Sequence, residues 1–225
     1  MRIYDDLTSI YQDIFIKEFH VGDRVQIREN NGTPGVSGVT IEVKSDITSI
    51  DHSFLNRSTS VYYKNNTCKP EVQHDCDGIL LVNYNNEDFL IVMELKTSYS
   101  YTNIKKAEKQ LTASLFRVLC RLNPLNSFDI HQYKMCGIIV SLPVPSEIKR
   151  DIRKKKNAKI ALKRFELQAD HFLKKSVPYN LEDCHIKMCN LPVKSLFIKN
   201  PLPLFHIDVG FGITAIDIYN CLRKL

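Results

Sequence analysis

The clearest pattern along the chain is a pair of apolar runs separated by a short polar turn. The runs are residues 78–84 and 89–96, and Asn85-Asn86-Glu87-Asp88 lies between them. Such an arrangement is typical of an antiparallel hairpin. In the second run, alternate side chains face opposite sides of the sheet, with Phe89, Ile91, Met93 and Leu95 on one side and Leu90, Val92, Glu94 and Lys96 on the other. The sequence therefore predicts that Glu94 and Lys96 are neighbours at the end of an apolar strand.

After the hairpin, the pattern changes to helical spacing. Residues 101–122 predict an amphipathic helix whose apolar stripe consists of Ile104, Ala107, Leu111, Leu115, Val118, Leu119 and Leu122. Residues 136–142 form an unbroken apolar run, which is typical of a central strand buried on both faces. Pro143 and Pro145 end this run, and Ser146 is placed to cap a following helix. The tail, residues 196–219, is rich in β-branched and aromatic side chains and predicts one or two further strands.

The first third of the chain is less regular. Residues 2–19 predict a helix, because apolar residues recur there at helical spacing, and Glu18 would lie on its buried side or at the border. Residues 29–38 resemble a loop, and the alternation in residues 39–44 predicts a strand. The pattern of residues 45–74 leaves a long loop and a small subdomain equally open.

The predicted order is helix, three strands, helix, strand, helix and a β-rich tail. This order indicates an α/β (α+β) fold with a mixed central β-sheet flanked by helices. We interpret residues 1–225 as a single domain, with a core over about 1–142 and a C-terminal extension over about 146–225 that holds a basic helix and the β-rich tail.

The composition indicates in which cellular compartment the protein is expected. No apolar run approaches the roughly 18 residues of a membrane span, and the acidic N-terminus does not resemble a signal peptide. We therefore expect a cytoplasmic protein without a membrane partner. The seven cysteines include no CxxC pair, so reduced thiols are expected. Two clusters lack the paired spacing of a structural zinc site, namely Cys68, His74 and Cys76, and Cys184, His185 and Cys189.

Positive charge is concentrated in one segment. The chain carries a net charge of +6, yet residues 149–175 alone hold eleven basic and three acidic residues, a local net charge of +8. Such a segment indicates a polyanionic partner, and nucleic acid is favoured over a merely solvated helix, while an acidic partner protein would satisfy the same charge. The candidate contacts are Lys149, Arg150, Arg153, Lys154, Lys155, Lys156, Lys159 and Lys163. A smaller group, Lys105, Lys106 and Lys109, is either a solvated face or a second contact with substrate.

The candidate chemistry lies where the hairpin begins and ends. Asp77 directly precedes the first strand, so the hairpin brings it beside Glu94 and Lys96. Two neighbouring carboxylates repel unless a proton or a cation lies between them, and Mg²⁺ prefers oxygen ligands. The lysine can orient or deprotonate a water molecule or neutralise developing charge. Asp75 is the alternative ligand; we prefer Asp77 because it adjoins the strand and because Gly78 leaves room beside it.

These residues resemble the motif of the PD-(D/E)XK nuclease superfamily, to which restriction endonucleases belong. The resemblance covers about residues 1–142 and consists of Asp77, then Glu94-Leu95-Lys96 after a hairpin, then a helix bearing Gln110. Cys76 stands where the family name implies proline. The resemblance implies that Asp77 and Glu94 bind Mg²⁺ (or Mn²⁺), that Lys96 assists the attacking water and that Gln110 supports the site. It also makes Glu18, on the first helix, a candidate additional ligand.

The function that this resemblance implies is metal-dependent hydrolysis of phosphodiester bonds in nucleic acid, with DNA as the expected substrate. Many relatives act in antiviral host defence, in which a partner triggers a small nuclease, so a regulatory partner protein is expected. Many such nucleases also pair to cut both strands, which makes a homodimer the other expectation. The alternative is a non-catalytic module that binds nucleic acid or a partner through residues 149–175 and carries a vestigial site. On that alternative, Glu94 and Lys96 form only a salt bridge of little energetic weight. His206 and Asp208, which share one strand face, are interpreted as structural.

Overall fold

The structure of the protein is a computed structural model, and it describes residues 3–11, 15–29, 36–51, 55, 75–174, 178–181 and 201–225. Within these ranges the strands are β1 (Ile16–Phe19), β2 (Arg24–Arg28), β3 (Val36–Glu42), β4 (Ile47–Ile50), β5 (Gly78–Tyr84), β6 (Glu87–Lys96), β7 (Tyr133–Ser141), β8 (Tyr179–Leu181), β9 (Leu202–Asp208) and β10 (Gly212–Ile216). The helices are α1 (Ile3–Ile10), α2 (Tyr101–Leu122), α3 (Ser146–Asn157), α4 (Arg164–Lys174) and α5 (Tyr219–Leu222).

The predicted hairpin is formed by β5 and β6, which pair in antiparallel orientation from Gly78 opposite Met93 to Tyr84 opposite Glu87. Asn85 and Asn86 have φ angles of 54° and 63°. Positive φ at both central residues is the signature of a two-residue type I′ turn, and asparagine tolerates this conformation better than most residues do. The hairpin prediction is therefore confirmed, although β6 begins at Glu87, within the predicted turn.

The hairpin lies within a seven-stranded sheet with the strand order β1-β4-β5-β6-β7-β9-β8. Strands β6, β7 and β9 run parallel to one another, whereas the other pairs are antiparallel. The apolar run predicted as a central strand is part of β7, and its side chains from Cys136 to Ser141 are buried. The prediction of a mixed sheet flanked by helices is thus confirmed.

The two faces of the seven-stranded sheet are covered by different layers. On one face, alternate residues of β6 such as Leu90 and Val92 pack against the apolar side of α2, together with α1, α3 and α4. Gly137 of β7 allows this approach, because a Cβ atom there would lie 3.2 Å from the Leu111 side chain of α2. On the other face, Phe89, Ile91 and Met93 pack against α5 and a second sheet. That second sheet has three strands in the order β10-β3-β2.

The N-terminal prediction was wrong in one respect. A helix over residues 2–19 was expected, but α1 ends at Ile10, and residues 16–19 form strand β1, which pairs with β4. The two alternatives left open for residues 45–74 are partly decided, since residues 47–50 form β4; residues 56–74 lie outside the described residues. The strand predicted over residues 39–44 is found as β3, but it belongs to the second sheet.

The C-terminal third contributes to both sheets. Strand β9 pairs with β7 in the seven-stranded sheet, and β10 pairs in parallel with β3 in the second sheet. The basic segment forms two helices, α3 and α4, rather than one. Ser146 is the first residue of α3 and does not cap it, because the N-cap position is held by Pro145. No helix within the described ranges has both the length and the apolar character needed to cross a membrane.

Candidate active site

The strand ends of the hairpin bring two carboxylates together. Because Gly78 pairs with Met93, Asp77 lies next to the end of β6, where its Oδ2 atom accepts a hydrogen bond from the Leu95 backbone N–H at 2.7 Å. This bond ties the Asp77 carboxylate to the residue between Glu94 and Lys96. Gly78 does not leave the open space that was expected beside Asp77. The Ile27 side chain of the second sheet fills it, since a Cβ atom at Gly78 would lie 2.6 Å from Ile27 Cδ1. The glycine serves packing on the face opposite Glu94.

Glu94 is the most unusual group of the cluster. It is only 1% exposed, although it is a carboxylic acid at the end of a strand. Its Oε1 atom accepts a hydrogen bond from Lys96 Nζ, and its buried Oε2 atom has no hydrogen-bond partner among the described residues. Burial, and then the negative charge of Asp77, raise the pKa of Glu94 to about 8. A carboxylate in this position is costly unless a cation compensates it.

Lys96 is held on two sides. Its side chain is 9% exposed, and Nζ donates to Glu94 and, at 2.8 Å, to Gln110 Oε1 of α2. Gln110 in turn donates from Nε2 to the Asp75 backbone carbonyl at 2.8 Å. Gln110 therefore connects Lys96 to the segment that precedes β5. The structure brings together Asp77, Glu94, Lys96 and Gln110, the four residues that the sequence predicted as a catalytic group.

Asp75, the alternative ligand, has a different partner. Its half-buried carboxylate forms an ion pair with Arg117 of α2, whose exposed fraction is 4%. One residue later, the Cys76 backbone N–H donates to Ser114 Oγ at 2.8 Å. Sequence reasoning missed Ser114 and Arg117, although both follow Gln110 on one face of α2 at i+4 and i+7, which is the signal that could have revealed them. Helix α2 thus fixes the segment before Asp77 through the Asp75–Arg117 ion pair and the Cys76–Ser114 hydrogen bond.

Because Asp75 pairs with Arg117 whereas Asp77 adjoins Glu94, the matched asparagine substitutions are expected to affect stability to different extents. Asp75→Asn is expected to lower the free energy of unfolding by about 3 kcal/mol, because it removes the negative charge that pairs with the buried Arg117 guanidinium. Asp77→Asn is expected to change it little, since an amide oxygen can still accept from Leu95 N–H. Denaturant unfolding of both variants without divalent metal measures the difference. A larger loss in Asp77→Asn than in Asp75→Asn would reverse the assignment.

Glu18 is not brought to this cluster. It lies on strand β1 instead of a helix, opposite Thr48, which in turn lies opposite Leu81 of β5. At the usual strand spacing and rise, this register places Glu18 roughly 15 Å from Asp77. Its carboxylate is 3.8 Å from His20 Nε2. The helical spacing that placed Glu18 on the first helix was misleading because a four-residue strand shows too few alternations to be recognised.

The basic segment is partly neutralised by its own acidic residues. Lys155 pairs with Glu166 and Lys156 with Asp170, and these two contacts join α3 to α4, whereas Lys174 pairs with Asp170 within α4. The remaining predicted contacts are exposed, namely Lys149, Arg150, Arg153, Lys154, Lys159 and Lys163. Arg150 and Lys154 lie on the side of α3 opposite the buried Ile152, and Lys149 and Arg153 lie beside them. The candidate nucleic-acid surface is therefore the outer face of α3, without Lys155 and Lys156.

His206 and Asp208 lie on the same face of the sheet as Glu94 and Lys96. The parallel register aligns Glu94 with Ile139 and His206, and Lys96 with Ser141 and Asp208. The His206 ring packs against Tyr99 and Phe172, with its Nε2 atom 2.9 Å from Ser141 Oγ. Two strand spacings separate His206 from Glu94, or roughly 10 Å. These contacts agree with the interpretation of His206 as a packing residue beside the site.

The donor set suits a hard divalent cation. Asp77 and Glu94 supply carboxylate oxygens, and the unpartnered Glu94 Oε2 is a further acceptor within the cluster. Among the described residues, no three His, Cys, Asp or Glu side chains form a metal-binding group. Two protein carboxylates are nevertheless a common complement for Mg²⁺, which keeps several water or phosphate oxygens as ligands. The thiol- and histidine-rich clusters considered for zinc lie outside the described residues except for Cys76, which is buried.

Comparisons of the chain with protein-family models, with curated proteins and with solved structures find no match. The resemblance to the PD-(D/E)XK superfamily accordingly stays a prediction that depends on the residues of the hairpin and of α2.

Proposed function

We propose that the protein is a metal-dependent nuclease that hydrolyses phosphodiester bonds of nucleic acid, with DNA as the expected substrate. The observation that carries this proposal is the buried Glu94 carboxylate, which has one oxygen without a hydrogen-bond partner and lies beside Asp77 and Lys96. A surface salt bridge would leave both side chains in water, whereas here both are buried. Burying a glutamate and a lysine beside a second carboxylate at one strand end is expensive, and it is typical of catalytic sites.

Each residue of the cluster has a role in this reaction. Asp77 and Glu94 would hold Mg²⁺ (or Mn²⁺), and the chemistry that such an ion supplies is activation of a water molecule and stabilisation of charge on the phosphate. Lys96 would orient the attacking water or neutralise charge on the phosphate oxygens. Gln110 positions Lys96 through its 2.8 Å hydrogen bond. The oxygen of water forms a bond to phosphorus while the bond to the ester oxygen breaks, and that oxygen leaves as an alcohol after it gains a proton.

Substrate affinity would come chiefly from the exposed cations of α3. Lys149, Arg150, Arg153 and Lys154 are exposed, and no described residue forms an ion pair with any of them. Phosphate groups release counterions when they bind such a surface, so binding should weaken as salt increases. The role in host defence, the homodimer and the regulatory partner stay predictions from the resemblance.

The decisive experiment is a cleavage assay on plasmid, linear duplex and single-stranded DNA and on RNA. The wild type is expected to cut at least one of these substrates with Mg²⁺ or Mn²⁺ and none of them in EDTA. Glu94→Gln is expected to be inactive on every substrate. Glu87→Gln is the matched control, because Glu87 lies on the same strand but is half exposed and pairs with Lys134 at the opposite end.

Three outcomes of this assay lead to different conclusions. Metal-dependent cleavage that is lost in Glu94→Gln and kept in Glu87→Gln supports the proposed site and identifies the substrate class. Cleavage that survives in Glu94→Gln contradicts the assigned site. If no substrate is cut and no divalent metal binds, the proposal fails in favour of a binding module that uses the outer face of α3.

A further inference from the structure

Helix α2 carries an aromatic and basic ridge next to the candidate site. The ridge consists of Tyr101, Lys105, Lys106 and Lys109, all of which are exposed. Tyr101, Lys105 and Lys109 follow one another at intervals of four residues, and Lys106 lies four residues before Gln110. Residues four apart share one face of a helix. The ridge therefore extends from the start of α2 to the residue that holds Lys96, a length of about 14 Å.

Lys105 and Lys106 form no ion pair with the described residues of their own helix. Glu108, the acidic residue of this part of α2, is directed toward α4, where it accepts a hydrogen bond from Gln168 at 2.8 Å and lies 3.7 Å from Arg164. Lys106 is near enough to Glu94 for its positive charge to act on that carboxylate. Lys106 therefore favours an anionic ligand on the ridge and also lies near the candidate metal ligand Glu94.

Tyr101 is both exposed and supported. Its exposed fraction is 57%, which is high for an aromatic side chain at the start of a long helix. The Phe165 ring of α4 contacts it edge to face, with centroids 5.6 Å apart and an angle of 85° between the planes. Lys105 Nζ lies 5.7 Å from the centre of the Tyr101 ring. An aromatic ring held in this way can stack on a base with little loss of conformational freedom.

We propose that this ridge binds a single-stranded stretch of DNA, with a base stacked on Tyr101 and phosphates contacted by Lys105 and Lys106. The inference rests on the proposed nuclease function and specifies the form of its substrate. Aromatic platforms interleaved with cations are the usual means of holding a single strand, because an unpaired base exposes its ring face. In a duplex the bases are already stacked, so Tyr101 would have no ring face to contact. The ridge then directs the backbone of the strand past Gln110 to Asp77 and Glu94.

The test is a binding measurement in EDTA, so that hydrolysis does not interfere. The probes are a fluorescein-labelled twelve-nucleotide oligo(dT) and a blunt DNA duplex of equal length. Tyr101→Ala is expected to raise the Kd for oligo(dT) about tenfold, whereas Tyr101→Phe keeps the affinity because it keeps the ring. Phe211→Ala is the matched control, since Phe211 is 78% exposed and adjoins the second sheet, on the opposite side of the seven-stranded sheet. Lys106→Gln is expected to reduce the slope of log Kd against log salt by about 0.7.

The wild type is expected to bind oligo(dT) more tightly than the duplex. The inference is overturned if Tyr101→Ala binds oligo(dT) as the wild type does, if Phe211→Ala loses as much affinity, or if the duplex binds more tightly than the single strand. These results are distinct from failure of the nuclease proposal. Tyr101-dependent binding without Mg²⁺-dependent cleavage would retain the ridge and reject the nuclease, whereas cleavage with Tyr101-independent binding would reject the ridge alone.

Discussion

Mg²⁺ is expected to bind the wild-type protein and to raise its free energy of unfolding, and Glu94→Gln is expected to abolish both effects. At a concentration one hundred times its Kd, a ligand that binds only the folded state adds about 2.7 kcal/mol. The buried Glu94 carboxylate is the group that most needs a cation, because Oε2 has no hydrogen-bond partner among the described residues. Replacing it with a neutral amide removes both the negative charge and a ligand oxygen.

Two measurements check this prediction. Calorimetric titration of the metal-free protein gives the affinity for Mg²⁺, and denaturant unfolding with and without Mg²⁺ gives the stabilisation. The Glu94→Gln side chain keeps an oxygen that can accept from Lys96 Nζ, so the metal-free variant is expected to fold. Glu87→Gln should behave as the wild type does. Equal Mg²⁺ affinity in Glu94→Gln and the wild type would show that the metal, if it binds, does so elsewhere.

The expected effect on catalysis is equally large. Loss of a metal ligand removes several kcal/mol of charge stabilisation from the transition state, and each 1.36 kcal/mol corresponds to a tenfold change in rate. Cleavage by Glu94→Gln should therefore fall by a factor on the order of 10³ or more. A residual rate close to that of the wild type, measured at saturating Mg²⁺, would contradict the role of Glu94 as a ligand.

The part of the site that could be predicted from the sequence is the part made by local contacts. A two-residue turn at Asn85 and Asn86 fixes the register of the hairpin, and the register alone brings Asp77 to Glu94. The period of two then places Lys96 on the same face as Glu94. Helix α2 follows after only four residues, so its position over β6 is constrained as well. Gln110 was identified through the resemblance to the nuclease motif, and these short steps explain why α2 brings it to Lys96.

The contacts that could not be predicted join segments far apart in the chain. Strand β10 pairs in parallel with β3, about 175 residues earlier, and no local pattern indicates that the two strands form a separate sheet. The ion pair of Asp75 with Arg117 depends on how α2 lies against the start of β5. Likewise, the pairing of Lys155 with Glu166 depends on α3 and α4 being separate helices, whereas the charge pattern suggested one.

The error at Glu18 has a simple physical cause. Apolar residues at positions 3, 7, 10 and 14 fit helical spacing, yet residues 16–19 gain more by pairing with the edge of β4. Ile16 is 2% exposed in that strand and packs with Ile50 and Ile79. Tertiary pairing of this kind overrides the local preference of a short segment. The spacing of apolar residues over positions 3–14 therefore does not determine where the first helix ends or whether Glu18 belongs to it.

Replacing Lys96 with alanine is expected to abolish cleavage while leaving nucleic-acid binding nearly intact. A positioned proton donor or acceptor contributes a rate factor of about 10² to 10⁴. Binding, by contrast, would depend on the exposed cations of α3 and α2, which Lys96 does not contact. Lys134→Ala is the control, because Lys134 lies on the neighbouring strand β7, is 40% exposed and pairs with Glu87 at the opposite end. Cleavage rates with Mg²⁺ and oligonucleotide affinities in EDTA provide the two readouts.

The affinity for Mg²⁺ is expected to change differently when Lys96 and when Glu94 is replaced. Lys96 Nζ contacts Glu94 Oε1 and therefore competes with any cation that this carboxylate binds. Lys96→Ala should accordingly bind Mg²⁺ at least as tightly as the wild type, whereas Glu94→Gln loses the ion. Lys96→Gln, which can still hydrogen-bond to Glu94 and Gln110, should be as inactive as Lys96→Ala if the charge is what matters. A group that acts on the reacting water or phosphate affects the transition state more than the bound substrate. If Lys96→Ala loses cleavage and oligonucleotide binding to the same extent, Lys96 is therefore a binding residue.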